Sequence, residues 1–177
     1  MSTTYSTQNS RQVAGTRWQL DPSGSRAEFR VPNFWGLASV KGRLQRLDGW
    51  LEVDDDRQWR MELTLDAASI DTDNPKRDRH LRTADFFDVE HHPEVRFRST
   101  SVNDHGGGRL RVEGELEAAG GRARLEVEVS VVHAEGGLEL DAEATVDQRE
   151  LGMTWSPLGV VRAPTALSVH ARLRRER

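Results

Sequence analysis

The strongest constraint in this chain is a hydropathy alternation with a period of two that recurs from Trp18 almost to the C-terminus. Ala27, Phe29 and Val31 alternate with Glu28 and Arg30, and Trp59, Met61, Leu63, Leu65 and Ala67 alternate with Arg60, Glu62, Thr64 and Asp66. Val95 and Phe97 follow the same rule, as do Ala123 to Val131, Leu138 to Val146 and Leu167 to Leu173. Successive side chains on a strand point to opposite faces, so each run predicts a strand with one dry and one wet face. Strands of a parallel sheet, covered on both faces, read as near-continuous apolar runs instead. The sheet is therefore expected to be antiparallel.

Turn chemistry separates the runs at Asp21-Pro22-Ser23-Gly24, Asp54-Asp55-Asp56, Asp104 to Gly108, Gly120-Gly121 and Gly136-Gly137. Short reversals between neighbours make a meander of eight to ten strands, the number depending on whether 17–20 and 48–53 are separate strands. A long meandering sheet hides its edges best by closing into a barrel. A β-sandwich is the alternative, but it needs long crossovers that the sequence does not offer. Residues 1–16, rich in Ser, Thr and Gln, predict a disordered tail ahead of a barrel over 17–177.

Two segments break the alternation. In Asp71 to His92, Asn74 followed by Pro75 predicts an N-cap with proline at the first helical position. Thr83 is placed to cap a second short turn carrying Asp85, Phe86 and Phe87. The second segment, Leu151 to Pro164, holds Met153, Trp155, Leu158, Val160 and Val161 among glycines and prolines. A stretch this apolar is expected to bury itself over a barrel end, against a ligand, or against a second copy in a homodimer.

Composition removes several function classes. With 25 Lys+Arg against 29 Asp+Glu, interleaved along the chain, no basic footprint for nucleic acid stands out. There is no cysteine for a disulfide, a thiolate metal site or a thiol nucleophile. No apolar run approaches the ~20 residues of a membrane-spanning helix. No basic start followed by an apolar core opens the sequence, which sets a cytoplasmic location as the expectation. A metal-dependent hydrolase built on His80, His91 and His92, with Asp85 nearby, is the enzymatic alternative. It is disfavoured because adjacent His91 and His92 do not share a face and no HExxH or GxSxG spacing is present.

The segment Asp66-Ala-Ala-Ser-Ile-Asp-Thr-Asp-Asn-Pro-Lys-Arg-Asp-Arg-His-Leu-Arg-Thr-Ala-Asp-Phe-Phe-Asp, followed by Pro93-Glu-Val-Arg-Phe-Arg-Ser, resembles the YceI-like family. Trp18-Gln-Leu-Asp-Pro-Ser, Val40-Lys-Gly-Arg, Val112-Glu-Gly-Glu-Leu and Leu151-Gly-Met extend the resemblance over roughly 17–175. Gly24 stands where the family often has His, and Asp147-Gln148-Arg149 where it often has an Asp-Arg pair. The resemblance implies an eight-stranded antiparallel lipocalin-like barrel, with one or two short helices between strands. It also implies a cavity for a polyisoprenoid, quinone-like or other lipid chain, and no enzymatic activity.

On that reading the cavity wall is expected to comprise Phe29, Val31, Phe34, Trp35, Met61, Leu63, Leu65, Phe86, Phe87, Phe97, Leu125, Val127, Leu140, Met153 and Trp155. Inward alanines (Ala27, Ala67, Ala123, Ala142, Ala144 and Ala171) are expected to leave the room. Arg77, Arg79, His80 and Arg82 are candidates for contacting a head group at the mouth, although Arg77 and Asp78 serve equally well as struts for the helix. The partner expected is a small apolar lipid, taken from water or from a membrane surface, with no metal and no cofactor. A ligand-free interaction barrel, with Trp35, Trp50 and Trp155 at an interface, is the alternative.

Overall fold

The computed structural model describes residues 15–33, 38–153 and 164–176. Phe34, Trp35, Trp155 and residues 1–14 of the expected tail lie outside the described residues. Among the described residues ten strands follow in chain order: β1 (Thr16–Asn33), β2 (Ala38–Leu44), β3 (Leu47–Val53), β4 (Trp59–Asp66), β5 (Ile70–Asp71), β6 (Glu94–Asp104), β7 (Arg109–Ala118), β8 (Gly121–Ala134), β9 (Gly137–Val146) and β10 (Thr165–Arg175). A 3-10 turn (Ala67–Ser69) precedes β5, and the helix α1 (Pro75–Leu81) follows it. Because β1 starts at Thr16, the barrel takes in the last residue assigned to the tail.

Every pairing is antiparallel, and the ring closes because β10 pairs with β1. β2 and β3 act as two arms of one bent stave, since β1 pairs with β2 through Ala27–Asn33 and with β3 through Thr16–Gln19. The barrel thus has eight staves in the order β1, β2/β3, β4, β6, β7, β8, β9, β10. The expected alternation holds along them: on β8, Ala123, Leu125, Val127 and Val129 are buried while Arg124, Glu126, Glu128 and Ser130 are exposed.

The Asp21-Pro22-Ser23-Gly24 sequence does not end a strand. It forms a bulge inside β1, where five steps from Asp21 to Arg26 match two steps from Arg172 to His170 on β10. Asp21 Oδ1 accepts the Ser23 N–H (3.1 Å) and hydroxyl (2.7 Å), so the turn chemistry is real but local. The bulge switches the inward parity from Trp18 and Leu20 to Ala27, Phe29 and Val31. β2/β3 makes the matching switch at Gln45-Arg46, held by hydrogen bonds to Ser69. Between β7 and β8 the reversal is Ala119-Gly120, both with positive φ (51° and 79°), as a two-residue hairpin of this twist requires.

Outward positions carry ion pairs such as Arg98–Glu62, Arg111–Glu128 and Arg122–Glu117. Each exposed pair contributes little to stability. Together they make the outer wall polar and the inner wall apolar, the reverse of a barrel that faces lipid. No helix among the described residues is long and apolar enough to cross a membrane.

The two ends of the barrel differ. At the lower end, where β3 passes to β4 and β8 to β9, Val53, Leu110, Val112 and Leu138 are almost completely buried and pack with Trp18 and Trp59. The upper end carries α1, the β7–β8 hairpin and the chain leaving β9. Asn74 caps α1 as expected, its Oδ1 accepting the Arg77 N–H at 3.1 Å, with Pro75 at the first position. The short turn expected after Thr83 is present, with the Thr83 carbonyl accepting the Phe86 and Asp88 N–H groups (3.0 and 2.9 Å), but the Thr83 side chain does not cap it. Its hydroxyl donates back to the His80 carbonyl (2.7 Å), and 83–92 is a succession of turns.

Candidate functional site

Above the packed lower end the barrel is hollow. A cavity of about 780 Å3 starts at Leu20, Leu51 and Leu173 and runs to the upper end. That is within the range of roughly 300–1,000 Å3 typical of pockets holding one small molecule. Along β9 its wall extends from Leu140 to Val146, about 20 Å of strand at about 3.4 Å per residue. Phe29, Val31, Met61, Leu63, Leu65, Phe86, Phe87, Phe97, Leu125, Val127, Leu140 and Met153 all border it.

Room is left by an asymmetry between opposite staves. Ala27 on β1, Ala171 on β10 and Ala142 and Ala144 on β9 border the hollow, and across the ring stand Met61 and Leu63 on β4 and Phe97 on β6. Ala67 and Ala123 are buried but do not border it. Ala67 lies in the 3-10 turn.

Two glycines set how the aromatic wall residues lie. Phe29 pairs directly with Gly42, and a Cβ at Gly42 would stand 2.3 Å from Phe29 Cζ. A Cβ at Gly114 would stand 2.3 Å from Phe97 Cζ. Each ring thus occupies the space a neighbouring side chain would need, covering the bare backbone of a glycine in a strand. A ring held against the wall does not plug the tube. The alternation along one strand carries no trace of these pairs, because they depend on which residues the register brings together.

The Arg-rich segment is mostly structural. Arg82 donates from Nε to the Ala68 carbonyl and from an NH2 group to the Ile70 carbonyl, both at 2.9 Å. Arg79 is exposed, and neither it nor Arg82 borders the cavity. The head-group expectation for these two is therefore withdrawn. Arg77 borders the cavity but donates from Nε and NH2 to the Thr72 hydroxyl and carbonyl, both at 2.8 Å. His80 borders it too, with Nε2 2.8 Å from Asp85 Oδ2 and its ring edge-on to Phe86. Lys76 and Asn74, neither of them a head-group candidate from the sequence, stand beside them at the mouth.

The other polar lining was also not legible in the sequence. Thr165 at the start of β10 is buried, and its hydroxyl donates to Gln148 Oε1 at 2.7 Å. Gln148 lies in the turn after β9, and its carbonyl accepts the N–H groups of Leu151 (3.2 Å) and Met153 (3.1 Å). The turn is pinned by Asp147, whose carboxylate accepts the Arg149 backbone N–H and side-chain Nε, both at 2.9 Å. Those bonds hold the Asp147 carboxyl down at about 2.

The folded value lies below the unfolded one of about 3.9. The contribution of Asp147 is therefore complete above about pH 4 and is lost as pH falls through about 2. Asp71 and Asp21, lowered mainly by hydrogen bonds from Asp73 and Ser23, act in the same direction. Asp147→Asn is expected to flatten the fall of melting temperature between pH 5 and pH 2, and an unchanged slope would contradict this account.

The remaining histidines do not assemble a metal site. His91 Nδ1 lies 2.9 Å from Asp88, which raises its pKa, and His92 packs over Gly120. Among the described residues no three His, Cys, Asp or Glu side chains gather into a group able to hold a metal ion.

Comparison with known proteins places this geometry in context. The family model of the YceI-like domain matches residues 18–173. A UPF0312 protein of Vibrio cholerae is 34% identical over 105 residues, covering 57% of this chain and 55% of that protein. One from Shewanella denitrificans is 33% identical over 112 residues, covering 61% and 58%. The matched stretch thus spans little more than half the length of these relatives. Among solved structures, Burkholderia cenocepacia BcnA superposes with a TM-score of 0.78 at 17% identity, covering 86% of this chain and 98% of BcnA. A Saccharophagus degradans domain described as polyisoprenoid binding and implicated in plant cell wall breakdown gives a TM-score of 0.72 at 11% identity, covering 90% and 98%. At these identities the structural likeness speaks for the fold.

Proposed function

The chain belongs to the YceI-like family, and from that premise we propose that it binds one elongated apolar molecule, of polyisoprenoid or similar lipid character, inside its barrel. The observation that carries the reading is the hollow itself: about 780 Å3 of narrow space walled by aliphatic and aromatic side chains. An apolar cavity of this size is a site waiting for an apolar guest, because each CH2 group moved into it from water contributes about 0.8 kcal/mol. Loss of the guest's freedom offsets part of that gain. A chain of several five-carbon units retains enough for tight binding, and the polyisoprenoid-binding description of the Saccharophagus domain supports the same class.

The reading is of a binder that shields its guest rather than a catalyst. His80 and His91 are each engaged with a neighbouring carboxylate, and the polar groups along the wall are few. Uptake from an anionic membrane surface fits one further feature. Arg30 and Lys41 face each other across β1 and β2 near the upper end, both exposed and with no acidic partner among the described residues.

Native mass spectrometry of freshly purified protein is expected to show a copurifying lipid, or uptake of added geranylgeraniol. Ala144→Phe, which puts a ring into the hollow, is expected to weaken that binding at least tenfold while the protein still melts cooperatively. A wild-type protein that neither copurifies with lipid nor takes up the alcohol would remove the proposal.

A further inference from the structure

We infer that the Gln148–Thr165 pair selects the guest's head group, and that this head group is an uncharged oxygen function, an alcohol or a ketone carbonyl, rather than a phosphate. The inference rests on the reading that the barrel holds an apolar chain and adds which end group that chain carries.

The geometry of the pair comes first. The Thr165 hydroxyl gives its proton to Gln148 Oε1 at 2.7 Å, which fixes the amide with its NH2 group directed elsewhere. No acceptor for that NH2 group is found among the described residues, and both side chains border the cavity. The pair therefore offers two N–H donors next to the lone pairs of the Thr165 oxygen. A hydroxyl, which accepts and donates, satisfies both, and a carbonyl satisfies the donors. The pair sits where an otherwise apolar wall ends, as expected of a group that orients a guest lying along the tube.

Charge decides against a phosphate at this place. The cation beside Gln148 is Arg149, and its guanidinium is bound to Asp147, two residues away in the same turn. A phosphate at Gln148 would meet the Asp147 carboxylate, and among the described residues no free cation borders the cavity on this side of the mouth, since Arg30, paired with Ala166, lies exposed on the outer face. At α1, Arg77 is engaged with Thr72 and His80 with Asp85. Lys76 alone among the cations bordering the cavity has no such partner among the described residues. A site that hydrogen-bonds a neutral oxygen discriminates strongly against an analogue lacking it, because its own polar groups are then left without partners.

The test compares three probes of equal chain length by competition against one fluorescent polyene: geranylgeraniol, the corresponding hydrocarbon, and geranylgeranyl diphosphate. The alcohol is expected to bind at least tenfold more tightly than the hydrocarbon and more tightly than the diphosphate. In Gln148→Leu the ratio of alcohol to hydrocarbon affinity is expected to fall toward one. Thr165→Val should lower the ratio as well, while Thr165→Ser, which keeps the hydroxyl, should preserve it. Equal wild-type affinity for alcohol and hydrocarbon overturns the head-group inference and leaves the lipid reading standing. A preference for the diphosphate that Gln148→Leu leaves intact also overturns it and moves the head group to Lys76. Failure of all three probes to bind overturns the lipid reading itself.

Discussion

Gly42→Ala is expected to cost the protein far more in ligand capacity than in stability. The new Cβ would meet Phe29 Cζ at 2.3 Å, Phe29 Cε1 at 2.7 Å and Thr72 Cγ2 at 2.8 Å. All three atoms belong to side chains, and the Phe29 ring has an empty tube to swing into. Overpacking a well-filled core costs about 1–3 kcal/mol, and the nearby space places this change toward the lower end. The ring, once turned inward, occupies the lumen at its mouth, so binding of geranylgeraniol is expected to drop at least tenfold. Phe29→Leu in the Gly42→Ala background shortens the intruding side chain and is expected to restore most of that loss. Gly114→Ala is the harsher change. Its Cβ would meet Phe97 Cζ at 2.3 Å and also the Arg98 carbonyl oxygen at 2.7 Å, and a backbone atom has no rotamer to escape into. A loss of about 2–3 kcal/mol in urea titration is expected there. Gly42→Ala protein that binds as well as wild type would show that Phe29 is not held flat by the missing side chain.

The contrast marks what one strand's pattern carries and what it omits. Alternation names the inward residues, and those predictions meet the structure closely on β4, β8 and β9. It treats Leu138 and Leu140 alike, although the first is packed into the lower end and the second borders the hollow. That difference comes from what stands across the ring. The same holds for Phe29 over Gly42 and for Gln148 against Thr165, 17 residues apart and joined only because β10 returns beside β9. Asp21 to Gly24 misled for a complementary reason. The turn chemistry is genuine, but pairing with β10 on both sides keeps the strand running through it. Arg82 shows the third kind of gap. A cation in an Arg-rich segment suggests an anionic partner, whereas its two acceptors are the Ala68 and Ile70 carbonyls, which become available only once the 3-10 turn and β5 have formed.

The segment from Thr72 to His92 owes its position to one buried carboxylate, so Asp78→Ala is expected to be the most damaging single substitution at the upper end. Asp78 is 7% exposed, and its Oδ1 accepts both the Thr72 N–H (2.9 Å) and the Thr72 hydroxyl (2.5 Å). Thr72 in turn receives two bonds from Arg77, so helix, strand end and guanidinium form one network. A seven-residue helix has no stability of its own. It stays in place through this network, Leu81 and the turn residues Phe87 and Val89 packed on the core. Alanine at 78 would leave a buried N–H and a buried hydroxyl without their acceptor, at about 1–3 kcal/mol for each group. A total loss of about 2–6 kcal/mol is therefore expected, concentrated in local opening. Amide exchange across 75–92 should accelerate well before the strands exchange, and lipid should leave faster, because Phe86 and Phe87 border the cavity from this segment. Asp78→Asn keeps an acceptor oxygen in place and is expected to lose only about 1 kcal/mol. In Thr72→Val the hydroxyl is already gone, so Asp78→Ala should cost less in that background than in wild type. Asp78→Ala protein with wild-type exchange rates across 75–92 would mean that apolar packing alone seats the cap, and lipid release would then track Leu81, Phe87 and Val89.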